Sequence, residues 1–252
     1  KREVFEQLDR HAKAGAVLAS NTSYLDINAI AQHTSRPQDV LGMHFFSPAN
    51  VMKLCEIVRA EATAQDTLMT AVSVARKIGK IPVVVGVCDG FVGNRMLGAR
   101  DTQADTLLYD GVLPQRIDRV LTDFGMPMGP FAMTDLGGLD IGWRSRMDRG
   151  VRSEIADTLC EAGRFGQKSG KGYYLYQPGS RTPLPDPEVE TIIRGVLART
   201  GRTPRDVSDE EILERLIYPM VNEAAHILEE GIAARPSDID VVWMYGYGWP
   251  AY

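Results

Sequence analysis

Residues 81–90 read Ile81-Pro82-Val83-Val84-Val85-Gly86-Val87-Cys88-Asp89-Gly90, and at Gly90 the sequence changes character. The first seven positions carry no polar side chain, which predicts a strand at Ile81–Val87 covered on both faces. A phosphate-cradling turn of the GxGxxG kind does not follow it, because Gly86 and Gly90 have the wrong spacing. After Gly90 the period changes. Phe91, Met96, Leu97, Leu107 and Leu108 fall at helical spacing, and the β-branched runs stop.

Toward the N-terminus, the pattern alternates. It predicts a helix over residues 3–14, then a strand at Ala16–Ala19 ending in Ser20-Asn21-Thr22-Ser23, then a helix at Asp26–His33. Strands at Val40–Phe46 and Lys53–Val58 flank Ser47-Pro48-Ala49-Asn50, and a helix at Ala64–Ile78 leads back to residue 81. Such alternation predicts an α/β layer with a mostly parallel sheet. With the glycine-rich turn absent, residues 1–88 read as the C-terminal half of a doubly wound dinucleotide-binding domain.

Toward the C-terminus the chain reads as helical. Asp110-Gly111 closes one helix and Leu113-Pro114 opens another, carrying Ile117, Val120 and Leu121. Pro178–Pro187 has the composition of a linker. Beyond it the pattern repeats: Leu108-Tyr109-Asp110-Gly111-Val112 returns as Leu228-Glu229-Glu230-Gly231-Ile232, and Ile117-Asp118-Arg119-Val120 as Ile239-Asp240-Val241-Val242. Phe124-Gly125 through Phe131 is echoed by Tyr245-Gly246 through Tyr252. The expected division is therefore 1–88 for the α/β segment, 89–180 for a first helical domain and 181–252 for a second, truncated copy.

Net charge is -5, so no overall basic field favours nucleic acid or an anionic membrane. No apolar run is long enough to predict a membrane span. Cys55, Cys88 and Cys160 are scattered and read as buried free thiols rather than a disulfide framework. No His, Cys and Asp residues cluster at metal-ligand spacing, so no metal site is expected. The chain opens at Lys1 inside an amphipathic pattern and both ends read as cuts, so a targeting signal cannot be read from them.

Four polar residues stand at strand ends or loop starts: Ser23, His44, Glu56 and Asn94. Strand ends face the ligand crevice in an open α/β sheet. Glu56 lies within the apolar run Leu54-Cys55-Glu56-Ile57-Val58 and needs a partner to offset its desolvation; His44 is the natural one. An imidazole, ordinarily titrating near pH ~6.5, suits a base that takes a hydroxyl proton while hydride leaves the same carbon. The residues alone leave a satisfied core pair open as the alternative. His11, His33 and His226 lie on helices and read as packing or solvated residues.

Several ordered blocks resemble the 3-hydroxyacyl-CoA dehydrogenases. They are Ser20-Asn21-Thr22-Ser23, His44-Phe45-Phe46-Ser47-Pro48, Val51-Met52-Lys53-Leu54-Cys55-Glu56 and Gly90-Phe91-Val92-Gly93-Asn94-Arg95. The likeness continues through Pro127-Met128-Gly129-Pro130-Phe131 and Phe165 to Tyr174. It implies an α/β fold in which the C-terminal half of a doubly wound NAD-binding domain precedes all-α dehydrogenase domains. It also implies oxidation of (S)-3-hydroxyacyl-CoA to 3-ketoacyl-CoA with NAD as cofactor. His44 would be the base, Glu56 its orienting partner, and Ser23 and Asn94 donors to the reacting oxygen. Lys1, Ser23, Ser47 and Lys168 map onto cofactor-contacting positions, although both lysines otherwise read as solvated. Ser47 departs from the Asn often found there in single-function members; a hydroxyl donates one hydrogen bond but does not place an amide.

The repeated helical segment and Ser47-Pro48 resemble the multifunctional enzymes of fatty-acid β-oxidation, which also carry an enoyl-CoA hydratase unit. Two other readings compete: a silent fragment or packing module, and a single-function short-chain 3-hydroxybutyryl-CoA dehydrogenase. The resemblance implies an acyl-CoA substrate, while an apolar helical face would allow a homodimer through the helical domains. The compartment would be cytoplasmic for a bacterial chain, and peroxisomal or mitochondrial for a eukaryotic one.

Overall fold

The computed structural model describes residues 1–250. In chain order the elements are α1 (Arg2–His11), β1 (Leu18–Ser20), α2 (Ile27–Ala31), β2 (Val40–Phe45), β3 (Leu54–Val58), α3 (Gln65–Lys77), β4 (Ile81–Val85) and α4 (Gly93–Tyr109). Then follow α5 (Pro114–Asp123), α6 (Pro130–Gly137), α7 (Leu139–Arg149), α8 (Glu154–Glu161), α9 (Pro187–Arg199), α10 (Asp209–Glu229) and α11 (Pro236–Tyr247).

Contacts gather these elements into two compact units: residues 1–99 with the stretch from Pro219 onward, and Arg100–Tyr218. This grouping differs from the expected division at residues 89 and 181. The end of the second helical segment packs in the unit that holds the sheet, with Gly246 at the close approach. A Cβ at Gly246 would lie 2.7 Å from Leu54 Cδ2, so a larger residue there would have to displace the Leu54 side chain for α11 to keep its approach to β3.

The four strands of that unit lie in the order β1-β2-β3-β4. β1 pairs with β2 in parallel and β3 with β4 in parallel, while the central β2–β3 pair is antiparallel. The sheet is thus mostly parallel, with its one reversal at the centre. Residues 46–53 are too short to carry the crossover that a parallel β2–β3 pair would need, of about a dozen residues or more.

Side chains alternate between the sheet's faces. Leu41, Cys55 and Ile57 pack with Leu68, Ala71, Val72 and Ala75 of α3. On the opposite face, a Cβ at Gly42 would lie 3.2 Å from Ile27 Cδ1, which places α2 there. The expectation that Ile81–Val87 is covered on both faces is corrected. The strand stops at Val85 and forms one edge of the described sheet, leaving Val84 38% exposed. An unbroken apolar run cannot distinguish a central strand from an edge strand, and Pro82, which cannot donate to a ladder, suits an edge.

In the second unit two buried carboxylates hold turns together. Asp118 of α5 accepts from the Phe131 and Ala132 N–H groups and from the Tyr174 hydroxyl. Asp135 of α6 accepts from the Tyr173 and Tyr174 N–H groups and the Tyr176 hydroxyl. Arg164, fully buried, donates to the Gly172 carbonyl and pairs with Asp186 and Glu188. Pro178–Pro187 is more ordered than a linker, since Leu175 and Leu184 exchange backbone hydrogen bonds.

The sequence echo has a structural counterpart. After α4, Gly111 (φ 90°) donates to the Leu108 carbonyl and Val112 to that of Leu107. After α10, Gly231 (φ 69°) donates to the Leu228 carbonyl and Ile232 to that of Ile227. Both helices therefore end in the same left-handed glycine cap before a helix that opens with proline.

All three cysteines are free. Burial pushes the Cys55 thiol up to about 12 and that of Cys160 to about 11, so both are inert at neutral pH. No helix among the described residues is long and apolar enough to cross a membrane.

Candidate active site

The antiparallel β2–β3 pair sets His44 directly opposite Glu56. Directly opposed residues project from the same face, here the face away from α3. His44 Nδ1 lies 2.7 Å from Glu56 Oε2, with the imidazole 4% exposed and the carboxylate fully buried. The other carboxylate oxygen, Oε1, accepts from the Val92 N–H at 3.2 Å and the Gly93 N–H at 3.0 Å. Those two groups open α4, where unsatisfied N–H groups and the helix dipole favour an anion. Three donors therefore converge on one buried carboxylate, the arrangement that makes a charge tolerable away from water.

The segment before α4 is shaped for this task. Gly90 (φ 75°) has no room for a side chain, since a Cβ would lie 2.9 Å from the Arg95 nitrogen. Phe91 is also left-handed (φ 52°), a conformation uncommon for a residue with a side chain. This turn aims the Val92 and Gly93 N–H groups at Glu56 and sets the Phe91 ring 5.6 Å from the His44 ring. Phe46 lies 4.6 Å from the imidazole, so two aromatic rings neighbour the base candidate.

With Glu56 accepting from Nδ1–H, the lone pair of His44 is on Nε2. The carboxylate thereby fixes the tautomer and leaves Nε2 to receive a proton. Asn94 stands in the first turn of α4, and its Oδ1 accepts from the Tyr247 hydroxyl at 2.6 Å. Ser23 is half-buried in the loop after β1. Two neighbours shape that loop: Asn21 Oδ1 accepts from the Phe45 N–H at 3.0 Å, and Thr22 Oγ1 accepts from the Leu25 N–H at 3.0 Å. At the end of β1 the Ser20 hydroxyl is buried without a hydrogen-bond partner among the described residues.

The other site candidates are more open. Ser47 is exposed, just before the cis bond to Pro48. Lys1 is exposed at the N-cap of α1. Lys168 belongs to the second unit and pairs there with Asp140. No cluster of His, Cys, Asp or Glu able to hold a metal occurs among the described residues.

Sequence reasoning assigned no role to Phe46, Phe91, Val92, Gly93 or Tyr247. Phe91 and the two N–H groups beside it were legible only as part of a motif, and Phe46 only as a neighbour of His44. Tyr247 lies 153 residues from Asn94, and the aromatic echo Tyr245-Gly246-Tyr247 was its one signal.

Comparison with known proteins places this geometry in a family. The sequence pattern described as "3-hydroxyacyl-CoA dehydrogenase, NAD binding domain" matches residues 1–88. That described as "3-hydroxyacyl-CoA dehydrogenase, C-terminal domain" matches residues 90–176 and 212–251. The peroxisomal bifunctional enzymes of Homo sapiens and Danio rerio are 46% and 44% identical over the whole chain, which spans 38% of each. The crystal structure of the dehydrogenase part of multifunctional enzyme 1 from C. elegans is 35% identical with a TM-score of 0.71; the match covers 99% of this chain and 58% of that one. The 3-hydroxybutyryl-CoA dehydrogenase of Escherichia coli is 25% identical with a TM-score of 0.80, over 99% of this chain and 69% of that one. The chain belongs to the 3-hydroxyacyl-CoA dehydrogenase family.

Proposed function

We propose that this chain is the dehydrogenase portion of a multifunctional β-oxidation enzyme, oxidising (S)-3-hydroxyacyl-CoA to 3-ketoacyl-CoA. The observation that carries the reading is the 2.7 Å hydrogen bond from His44 Nδ1 to the buried Glu56 carboxylate. His44 Nε2 takes the proton of the 3-hydroxyl group, and the electron pair of the O–H bond becomes the second bond of the carbonyl. NAD, when bound, supplies the acceptor for the hydride that leaves C3. Glu56 holds the imidazole in register and stabilises its charged form after the proton arrives. Asn94 and Ser23 donate hydrogen bonds to the reacting oxygen, where negative charge develops.

For the cofactor, donors at the end of β1 fit a polar ligand. The Ser20 hydroxyl is buried and has no partner among the described residues, and Ser23 follows in the same loop. Lys1, Ser23 and Ser47 would hold NAD from the sheet unit. Lys168, the fourth cofactor position that the resemblance implies, is paired with Asp140 in the second unit. The repeated glycine caps support reading the second helical segment as a duplicate of the first, with segments 1–88, 89–180 and 181–252 as units of descent. A hydratase unit elsewhere in the whole protein, a homodimer through the helical segments and a peroxisomal location belong to the same proposal, the last following the names of the relatives.

The test is NADH formation by the full-length protein with (S)- and (R)-3-hydroxyacyl-CoA. Turnover of the (S) thioester is expected. No turnover of either, by a folded protein, would overturn the reading.

A further inference from the structure

We infer that Tyr247 is a positioning residue for the reaction, acting through the side-chain amide of Asn94. The inference rests on the role proposed above for Asn94, and names what aims it. A carboxamide has two faces of opposite character: its oxygen only accepts and its nitrogen only donates. An alkoxide or carbonyl oxygen needs the donor. Rotation of the amide by about 180° would present the oxygen instead, which repels the charge that the reaction develops.

Tyr247 removes that ambiguity. Its hydroxyl donates to Asn94 Oδ1 at 2.6 Å, which commits the oxygen and turns the NH2 group the other way. The phenol is itself held on two sides. Its ring stacks on Trp243 at 4.4 Å and meets the edge of Phe46 at 5.5 Å and 86°. Trp243 is anchored in turn by its indole N–H, 3.1 Å from Met96 Sδ. Phe46 is the ring that lies against His44, so one aromatic cluster links the phenol to both the amide and the imidazole.

Gly93 and Gly246 make the contact sterically feasible. A Cβ at Gly93 would lie 3.0 Å from the Tyr247 ring. A Cβ at Gly246 would lie 2.7 Å from Leu54 Cδ2 and 3.4 Å from the Phe46 ring, so the glycine leaves room for both. The two glycines flank the pair in sequence, one beside Asn94 and one beside Tyr247. A hydroxyl that only filled space would need neither the 2.6 Å approach nor a polar partner.

The experiment is a double-mutant cycle in the full-length enzyme with Tyr247→Phe and Asn94→Ala, reading kcat and KM for a 3-hydroxyacyl-CoA. Tyr247→Phe keeps the ring and its stacking and removes only the donor. It is expected to lower kcat by roughly tenfold with KM nearly unchanged, within the range that positioning contributes. Asn94→Ala is expected to lower kcat by about a hundredfold. In the Asn94→Ala background, Tyr247→Phe should then have less than about a twofold effect, because nothing remains to aim. A full kcat in Tyr247→Phe would overturn the inference while leaving the role of Asn94 intact. So would an equal loss in both backgrounds, which would mean that the hydroxyl acts elsewhere. An unaffected Asn94→Ala enzyme would instead overturn the proposed role of Asn94 and, with it, this inference.

Discussion

Glu56 faces His44 across the antiparallel pair formed by β2 and β3, and the same carboxylate caps the start of α4 through Val92 and Gly93. One side chain thus ties the sheet, the helix and the candidate base together. Removing it would do two kinds of damage, to chemistry and to folding, and substitutions can separate them.

Glu56→Gln keeps the shape and removes the charge. The amide can still accept from one neighbour, but it no longer stabilises a charged imidazolium. A fall in kcat of about a hundredfold is expected with little change in KM, smaller than the loss from removing the imidazole. Glu56→Ala also leaves the Val92 and Gly93 N–H groups unsatisfied, and should destabilise the protein by roughly 3 kcal/mol. Steady-state kinetics and denaturant unfolding read the two effects. An Ala variant as stable as wild type would show that the carboxylate does not anchor α4.

Gly246 is tested by size. Gly246→Ala places one carbon 2.7 Å from the end of the Leu54 side chain, which can swing away, so the cost should be small. Gly246→Val adds branches that also meet Phe46, and is expected to cost about 1–3 kcal/mol of stability. Equal thermal midpoints for the two variants would count against close approach of α11 to the sheet.

Asp118 carries a pH signature. Burial raises its carboxyl from 3.8 to about 6, even though the N–H groups of Phe131 and Ala132 and the Tyr174 hydroxyl favour the charged form and pull the other way. Between those values the folded chain keeps a proton that the unfolded chain has released. Its contribution to stability therefore falls as pH rises from about 4 to about 6 and is flat outside that window. Asp135, also raised to about 6 by burial, acts in the same direction. Titration of the labelled carboxyl carbons by NMR should give midpoints near 6, and midpoints near 4 would contradict the burial effect.

Much of this was legible in the sequence, for identifiable reasons. Strand and helix placement followed from periodicity, and a carboxylate inside Leu54–Val58 demanded a partner that His44 could supply. The central reversal of the sheet had a signal too, because residues 46–53 cannot span a helical crossover; motif spacing alone does not reveal it. The exposure of Val84 was illegible, since an apolar run carries no information about its neighbours. Tyr247 was hidden for a different reason. Its partner is 153 residues away, and only folding of α11 onto the sheet makes the pair.

In the proposed reaction His44 accepts the proton of the substrate hydroxyl. The most direct measurement is turnover of (S)-3-hydroxyacyl-CoA by full-length His44→Ala enzyme, with its fold checked by circular dichroism. Loss of NADH formation by about a thousandfold or more in a folded protein is the expected result. Turnover within tenfold of wild type would contradict the assignment of the base.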